Sequence, residues 1–492
     1  METRLQQLTR GNALLLIIVL GFGGSFHVGF HTTSLSSPSP FIQSFINSSW
    51  TERHGEVPPQ QTVTMIWSLT VSMFAIGGLV GAISVKFISG KLGRKKTMIF
   101  NSLVAIIAAV IMLFSKLARS YEMLILARFL YGSCTGLSAS IHILYLTEIS
   151  PRKIRGTVTL TLGTFGSLGK LLGQLLGLSE ILGREQLWNV LLCIPLFFSL
   201  VNAVALPFFP EAPRYLLIEK GKIEECKKAL QSLWGPGDYK EEIGDMLAEQ
   251  AAMEAAPPKT PLQLIRNRNV RWQLITMAFI YGCNQLSGSS AINNFSYDIF
   301  VQVGIHSDNI RYIILGLGAT EILSSVLSGV LLIERTGRKP MITGGYAIMT
   351  ICWVLVTVTL NLTNPSSWVP YITASLIILF IVAFSGGCLT VSATLSSELF
   401  VQSDRVAALV ISGTQRWLTM ALIGLVFPFI LTYMKSYSFV FFASICLVGF
   451  LYTFFLLPET KEKTILQIAE EFKAITVCGK SFAERKRMET KL

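Results

Sequence analysis

The sequence predicts an all-α membrane protein with twelve transmembrane helices. Of its 492 residues, 51% are hydrophobic and only 14% are charged, and the mean hydropathy is +0.55. Soluble domains carry about a quarter charged residues, so lipid must be the solvent for much of this surface. The apolar residues are also gathered in long runs, which indicates membrane-spanning segments rather than one soluble core.

Twelve apolar runs follow one another along the chain. Each has about 20 residues, which as a helix crosses a hydrocarbon core of about 30 Å. Helices are expected because a backbone exposed to lipid must satisfy its hydrogen bonds internally. The first run exceeds the apolar stretch of a signal peptide, so we interpret it as a retained span. The runs lie at 12–32, 63–87, 97–115, 123–146, 157–178, 187–208, 272–296, 311–333, 340–360, 368–396, 408–430 and 435–457.

Lysine and arginine are concentrated in the turns that follow even-numbered runs, at 90–96, 151–155 and 334–339. Cytosolic loops carry an excess of these residues, so we expect these turns and both termini to face the cytosol. The net charge of +12 follows mostly from this bias, would favour attraction to anionic lipid headgroups, and requires no nucleic-acid partner.

The chain repeats itself about 250 residues apart. A Gly-Arg-Lys turn, a glutamate followed seven residues later by an arginine, and a Pro-Glu pair each occur twice, in the same topological position. This pattern predicts two six-helix bundles with a substrate site between them near the midplane. The predicted divisions are an N-terminal bundle, a cytosolic helical linker, a C-terminal bundle and a cytosolic tail, at 1–208, 209–271, 272–457 and 458–492.

Eight short motifs occur in order over nearly the whole chain, at 93–95, 128–132, 148–156, 210–216, 285–288, 334–338, 398–400 and 458–461. Together they resemble the major facilitator superfamily and, within it, the facilitative sugar transporters. The resemblance is strongest to the branch that contains the fructose transporters. It implies a major facilitator fold in the cell membrane and transport of hexose-like sugars by alternating access.

A set of charged residues is predicted to lie at the cytosolic ends of the spans. Charges at that level can pair between the two halves when the cytosolic side is closed, and a network of such pairs can bias a two-state equilibrium. The alternative is that they only enforce topology, although glutamates would not serve that purpose. The predicted gating residues are Arg94, Arg128, Glu148, Arg155, Glu211, Arg214, Glu334, Arg338, Glu398 and Arg405.

Polar residues within the spans are the candidates for substrate binding. A neutral sugar needs paired donors and acceptors, which amides supply, and the resemblance places Asn284 and Gln285 where sugar transporters use amides. Helix–helix hydrogen bonds are the alternative role for each residue. The predicted substrate-binding residues are Gln285, Asn284, Ser290, Asn294, Glu321, Ser385, Arg416, Trp417 and His31.

Charges inside spans are a special case. One near the bilayer centre costs at least about 2.5–3.5 kcal/mol, so it usually pairs or faces water. We expect Glu321 and Arg416 to face one another across the cavity of the C-terminal half, either as a functional or as a purely structural pair. Lys170 in the fifth span either serves function or lies at a packing seam. His31 replaces an asparagine of the facilitative relatives and could titrate near neutral pH, or it could be a satisfied polar contact near the outer mouth.

The remaining motifs limit the function. No nucleotide-binding Gly-x-x-x-x-Gly-Lys-Ser/Thr motif and no metal-binding cysteine spacing occur, so we predict neither an enzyme nor a cofactor. Asn47-Ser48-Ser49, in the first outer loop, is a predicted glycosylation site. The preferred function is a facilitative carrier of a small neutral sugar or polyol. The alternatives are a proton-linked sugar or polyol symporter and, in another class, a transporter-like solute sensor without flux.

Overall fold

The structure is a computed structural model that describes residues 11–150, 155–255, 259–328, 332–362, 366–400 and 402–461, with a few residues between 463 and 472. These residues form helices and connecting turns, and no strand occurs among them. The chain forms two compact units. Unit 1 comprises Met1–Ala256, Asn293–Asp298 and Met420–Pro428, and unit 2 comprises Pro257–Ile292, Ile299–Thr419 and Phe429–Leu492.

The first eleven helices belong to unit 1. They are α1 (Ala13–Gly23), α2 (Ser25–Thr33), α3 (Ser39–His54), α4 (Gln60–Leu92), α5 (Arg94–Leu117), α6 (Tyr121–Ile149), α7 (Arg155–Leu176), α8 (Trp188–Cys193), α9 (Pro195–Ala205), α10 (Ile223–Trp234) and α11 (Lys240–Ala255).

The later helices belong mainly to unit 2, with parts of α14 and α20 in unit 1. They are α12 (Pro261–Arg266), α13 (Arg271–Asn284), α14 (Ser290–Val303), α15 (Ser307–Leu327), α16 (Ile333–Thr336), α17 (Arg338–Leu360), α18 (Val369–Ala383), α19 (Thr390–Glu398), α20 (Gln402–Met434) and α21 (Ser438–Leu456).

Each of the twelve predicted runs is mainly helical in its described residues. Nine segments of the described chain are long and apolar enough to cross a membrane, and the last of them, Asp404–Leu456, contains the eleventh and twelfth predicted spans. The fifth predicted span is α7, and the seventh is α13 followed by α14. The predicted all-α membrane fold is confirmed.

Several spans are interrupted, among them the sixth, which breaks at Ile194 between α8 and α9. The first breaks at Gly24 between α1 and α2, where the backbone N–H of Ser25 donates to His142 Nδ1 at 3.2 Å. The seventh contains a π-helical turn at Gln285–Ser289, and the tenth contains one at Phe384–Leu389. Such turns leave main-chain groups outside the regular helical ladder, and they are frequent at functional sites.

Helix α10 belongs to the predicted linker and packs against other helices of unit 1. Its buried residues follow the helical period: Cys226, Ala229, Leu230, Leu233 and Trp234. Trp234 Nε1 donates to the carbonyl of Ile149 at 2.9 Å. This contact ties α10 to the end of α6. Burial raises the pKa of the Cys226 thiol to about 11, so this cysteine is an inert apolar side chain.

A short part of α14, Asn293–Asp298, belongs to unit 1 and is in contact with its helices. The Asp298 carboxylate accepts hydrogen bonds from Ser39 Oγ at 2.9 Å and from Gln43 Nε2 at 3.3 Å. The ring of Phe295 lies 6.3 Å from that of Trp67. Helix α3 therefore contacts α14 through polar side chains, and Trp67 of α4 adds an aromatic contact to the same segment.

Candidate functional site

A buried and hydrogen-bonded cluster of charged residues lies in unit 1, where α5 begins. Arg94 donates to Glu148 Oε1 through Nη2 at 2.7 Å and through Nε at 3.1 Å. Its Nη2 also donates to Glu219 Oε1 at 2.6 Å. Arg94 and Glu148 are both buried, and the Arg94 guanidinium lies over the Tyr215 ring, 4.5 Å from its centroid. The cluster therefore joins α5, α6 and the turn that precedes α10.

Glu211 supports this cluster from the backbone side. Its carboxylate accepts the backbone N–H groups of Arg94 at 3.0 Å and of Lys95 at 2.9 Å, so it satisfies the free donors at the start of α5. The preceding Gly93 has φ +88°, and a Cβ there would lie 2.5 Å from Glu211 Oε2. Only glycine fits this turn without strain.

Unit 2 repeats the arrangement. Arg338 donates to Glu398 Oε1 through Nη2 at 2.9 Å and through Nε at 3.1 Å. Glu459 accepts the backbone N–H groups of Arg338 at 3.0 Å and of Lys339 at 3.1 Å, and Gly337 has φ +90°. Both arginine–glutamate pairs lie within a single unit, whereas the gating residues were predicted to pair between the halves.

The environment of Glu459 favours its ionised form. Burial alone would raise the pKa of this carboxyl. Backbone N–H groups of Lys461, Arg338, Lys339 and Thr460 outweigh burial and hold the pKa below its ordinary value. Glu459 was absent from the predicted gating residues. It is the equivalent of Glu211 in the sequence repeat, so the repeat could have identified it.

The other predicted gating residues have fewer described contacts. Arg405 Nη2 donates weakly to the carbonyl of Phe400 at 3.5 Å, and Arg214 directly precedes the π-helical turn Tyr215–Glu219. Arg155 and Glu334 lie in α7 and α16, but their side chains are outside the described part of the structure.

Arg128 does not lie at the same end of its span as Glu148, although both were predicted to lie at the cytosolic end. It lies in the second turn of α6, which begins at Tyr121, whereas Glu148 lies in the last turn. At 1.5 Å per residue, the two are about 30 Å apart along the helix. The Arg128 guanidinium is fully buried. It lies over the Phe74 ring at 4.5 Å, and its Nη1 is 3.5 Å from the His31 carbonyl.

His31 lies in the interior of unit 1. The side chain is 1% exposed, and its ring lies 4.2 Å from that of Tyr131. Neither ring nitrogen has a hydrogen-bond partner in the described part of the chain. In this conformation His31 is therefore enclosed by aromatic neighbours, and the satisfied polar contact considered from the sequence is not formed.

Gln285 and Asn284 differ sharply in their surroundings. Gln285 is partly exposed, and its Oε1 accepts from Ser290 Oγ at 2.7 Å. No partner for its amide nitrogen occurs among the described residues. Asn284 is buried, donates to Ser392 Oγ at 2.6 Å, and accepts from Tyr346 at 2.6 Å. Gln285 thus offers donors to a solute, whereas Asn284 is engaged with neighbouring helices.

The remaining candidates for substrate binding are mostly buried. Asn294 is 2% exposed and lies in the part of α14 that belongs to unit 1. Ser385 donates to its own helix at the Ile381 carbonyl, 2.8 Å away, and contacts Ser324 Oγ in α15. Trp417 is partly buried in α20. Their role in substrate binding stays a prediction.

Glu321 and Arg416 do not form the expected ion pair. Glu321 is buried in α15, whereas the Arg416 side chain is exposed, and no salt bridge joins them among the described residues. Lys170 is half-buried, and its carbonyl accepts from Thr33 Oγ1 at 3.1 Å, which favours the packing seam.

Asn47 is exposed on α3. With Ser44, Ser48, Thr51 and Glu52 it lines a shallow cavity of about 460 Å³. The exposure leaves room for a glycan on this residue.

Comparisons with known proteins agree with this geometry. The family described as "Sugar (and other) transporter" matches residues 16–472. The mouse protein "Solute carrier family 2, facilitated glucose transporter member 9" is 42% identical over 455 residues, which are 92% of this chain and 84% of that protein. The horse protein "facilitated glucose transporter member 5" is 37% identical over 458 residues, 93% of this chain and 91% of that one.

Solved structures share the fold. The inward-open conformation of the xylose transporter XylE from E. coli has a TM-score of 0.75 at 17% identity, over 94% of this chain and 99% of that one. XylE bound to 6-bromo-6-deoxy-D-glucose has a TM-score of 0.69 at 18% identity, over 93% and 98%. The fold is thus that of a multi-pass major facilitator transporter. The chain belongs to the sugar transporter family, which confirms the prediction from its motifs.

Proposed function

We propose that this protein is a facilitative carrier of hexose-like sugars that works by alternating access in the cell membrane, with both termini in the cytosol. The observation that carries the proposal is Gln285, an amide at a helix break whose oxygen is held by Ser290 and whose nitrogen has no partner among the described residues. Such a group can donate to a sugar hydroxyl without first breaking a protein hydrogen bond. The relatives named as facilitated glucose transporters support the same substrate class.

The repeated arginine–glutamate clusters supply the conformational part of the proposal. Each holds the start of one helix, α5 or α17, against the end of another, α6 or α19. We infer that each cluster holds its own bundle rigid, and that alternating access proceeds by movement between bundles with the divisions predicted above at 208, 271 and 457.

The test is uptake of radiolabelled D-glucose, D-fructose, D-xylose and sorbitol into proteoliposomes that hold the purified protein. We expect saturable uptake of at least one sugar down its gradient, with no change in external pH. Absence of uptake together with measurable binding would instead support a solute sensor.

Proton coupling is the alternative within the same class. External alkalinisation during sugar uptake that is abolished by His31→Asn would favour a proton-linked symporter. His31 is buried among aromatic rings, and neither of its ring nitrogens has a partner among the described residues, which favours uniport.

Glycosylation at Asn47 is a further part of the proposal. Treatment with an endoglycosidase should increase the electrophoretic mobility of the protein from cells, and Asn47→Gln should abolish the shift. Asn361→Gln is the matched control, because Asn361 also begins an Asn-x-Thr motif but its amide donates to the Thr357 carbonyl at 2.8 Å. A shift that persists in Asn47→Gln would contradict the assignment.

A further inference from the structure

The break in the seventh span is held from the ninth span. Gly288 in the π-helical turn has φ +107°, and a Cβ there would lie 2.7 Å from Trp353. Trp353 Nε1 donates to the Ser287 carbonyl at 2.8 Å, so it satisfies a main-chain acceptor in the broken turn. The Trp353 side chain is fully buried and stacks on Phe439, with ring centroids 5.2 Å apart.

Tyr346 acts on the other side of Gln285. It lies two turns before Trp353 on the same face of α17, and it is also fully buried. Its hydroxyl donates to Asn284 Oδ1 at 2.6 Å and lies 3.3 Å from the Ile280 carbonyl. The residue before Gln285 is therefore tied to Tyr346, and the turn after it is tied to Trp353.

Asn284 connects Tyr346 to the backbone next to Gln285. Its amide nitrogen donates to Ser392 Oγ at 2.6 Å and lies 3.5 Å from the Cys388 carbonyl. The side chain therefore connects α13 to the ninth span through Tyr346 and to the tenth through Ser392. A buried amide with both donor and acceptor engaged has one preferred orientation, which fixes the backbone from which Gln285 projects.

We propose that Tyr346 is a positioning residue for sugar binding: it sets the direction of Gln285 through Asn284, without touching the sugar itself. This inference rests on the proposed role of Gln285. Tyr346→Phe keeps the ring that fills the core and removes only the hydroxyl. Loss of one neutral hydrogen bond corresponds to about a threefold to tenfold change in an equilibrium constant. KM should therefore rise by about that factor, while the maximal rate per folded transporter stays unchanged.

The experiment compares Tyr346→Phe, Gln285→Leu and the double variant in proteoliposomes with radiolabelled D-glucose and D-fructose. If Tyr346 acts through Gln285, the double variant has the KM of Gln285→Leu alone. Thr350→Val is the matched control, because Thr350 lies one turn further on α17 and, among the described residues, its hydroxyl bonds its own helix at the Tyr346 carbonyl. It should leave KM unchanged.

A rise in KM for Gln285→Leu with none for Tyr346→Phe, or independent rises that multiply in the double variant, would overturn the inference alone. No rise for Gln285→Leu would overturn the proposed sugar contact and the inference together. Should Tyr346→Phe fold poorly, Ser392→Ala removes the other side-chain partner of Asn284 and should raise KM in the same way. An unchanged KM in a well-folded Ser392→Ala protein would then contradict the positioning role.

Discussion

Arg94 and Glu148 meet through two hydrogen bonds to a single carboxylate oxygen, at 2.7 and 3.1 Å, and Arg338 and Glu398 do the same at 2.9 and 3.1 Å. The two pairs differ in burial, since the side chain of Glu148 is 10% exposed and that of Glu398 is 24% exposed. Charge pairs interact more strongly where water is excluded. The two pairs therefore have the same geometry, but the more buried Arg94–Glu148 pair should contribute more to the stability of the protein.

The first prediction follows from this inequality. Removing one partner of a buried pair typically costs about 3–5 kcal/mol, so Arg94→Ala should destabilise the protein more than Arg338→Ala. Thermal unfolding of the detergent-purified variants measures the difference. Equal losses of stability would contradict the effect of burial.

The second prediction concerns cytosolic access. Breaking Glu148 or Glu398 with glutamine should loosen the helix ends that these residues hold and increase labelling of a cysteine introduced nearby from the cytosolic side. Glu225 is exposed and pairs with the exposed Lys222, so Glu225→Gln is the control and should leave the labelling rate unchanged. Identical rates in all three variants would remove the clusters from the gating mechanism.

The third prediction concerns Gly93. Gly93→Ala should destabilise the protein by about 1–2 kcal/mol, because alanine is strained at positive φ and its Cβ would meet Glu211. Gly90→Ala is the matched control in the same turn, since a Cβ there meets nothing within 4 Å. It should be neutral or slightly stabilising, because alanine favours helix. Similar melting temperatures for the two variants would count against the strained turn.

The fourth prediction is a pH dependence that arises from Glu459. Because folding lowers the pKa of this carboxyl, its contribution to stability is fully present above the pKa of the unfolded state. The contribution disappears as the pH falls through the lower folded pKa. The difference in melting temperature between wild type and Glu459→Gln should therefore be largest near neutral pH and shrink below about pH 4. A constant difference over this range would exclude the ionised capping role.

The fifth prediction is that Glu321 and Arg416 act independently. Since no salt bridge joins them among the described residues, the effects of Glu321→Gln and Arg416→Gln on sugar uptake should add in the double variant. A double variant more active than either single variant would restore the direct pair expected from the sequence.

Hydropathy was sufficient to predict the helical fold, because twelve long apolar runs leave few other ways to satisfy the backbone in lipid. The repeated motifs predicted that equivalent glutamates and arginines recur in both halves, but not which of them meet. Arg94 joins Glu148 and Arg338 joins Glu398 within their own units, whereas pairing between the halves was expected. Arg128 was predicted at the same end of its span as Glu148, although the sequence contained enough information to place it at the opposite end. The fourth run begins at 123, after an odd-numbered span, so a residue near its start belongs towards the outer side.

The surroundings of Asn284 could not be predicted in this way. Its partners Tyr346 and Ser392 lie 62 and 108 residues away, and a tyrosine or serine within an apolar run carries no mark of the helix it will face. The same holds for Glu321 and Arg416, whose opposite charges suggested a pair. Tertiary packing decides whether such residues meet, and no salt bridge joins these two among the described residues.

The assignment of Asn293–Asp298 to unit 1 bears on fragment complementation. A chain severed between α11 and α12 would yield an N-terminal fragment whose Ser39 and Gln43 lack the Asp298 carboxylate that they bond in the intact protein. That fragment should be more sensitive to proteolysis at α3 when expressed alone than when co-expressed with the C-terminal fragment. The seventh span would then be the segment through which two separately made halves recognise each other.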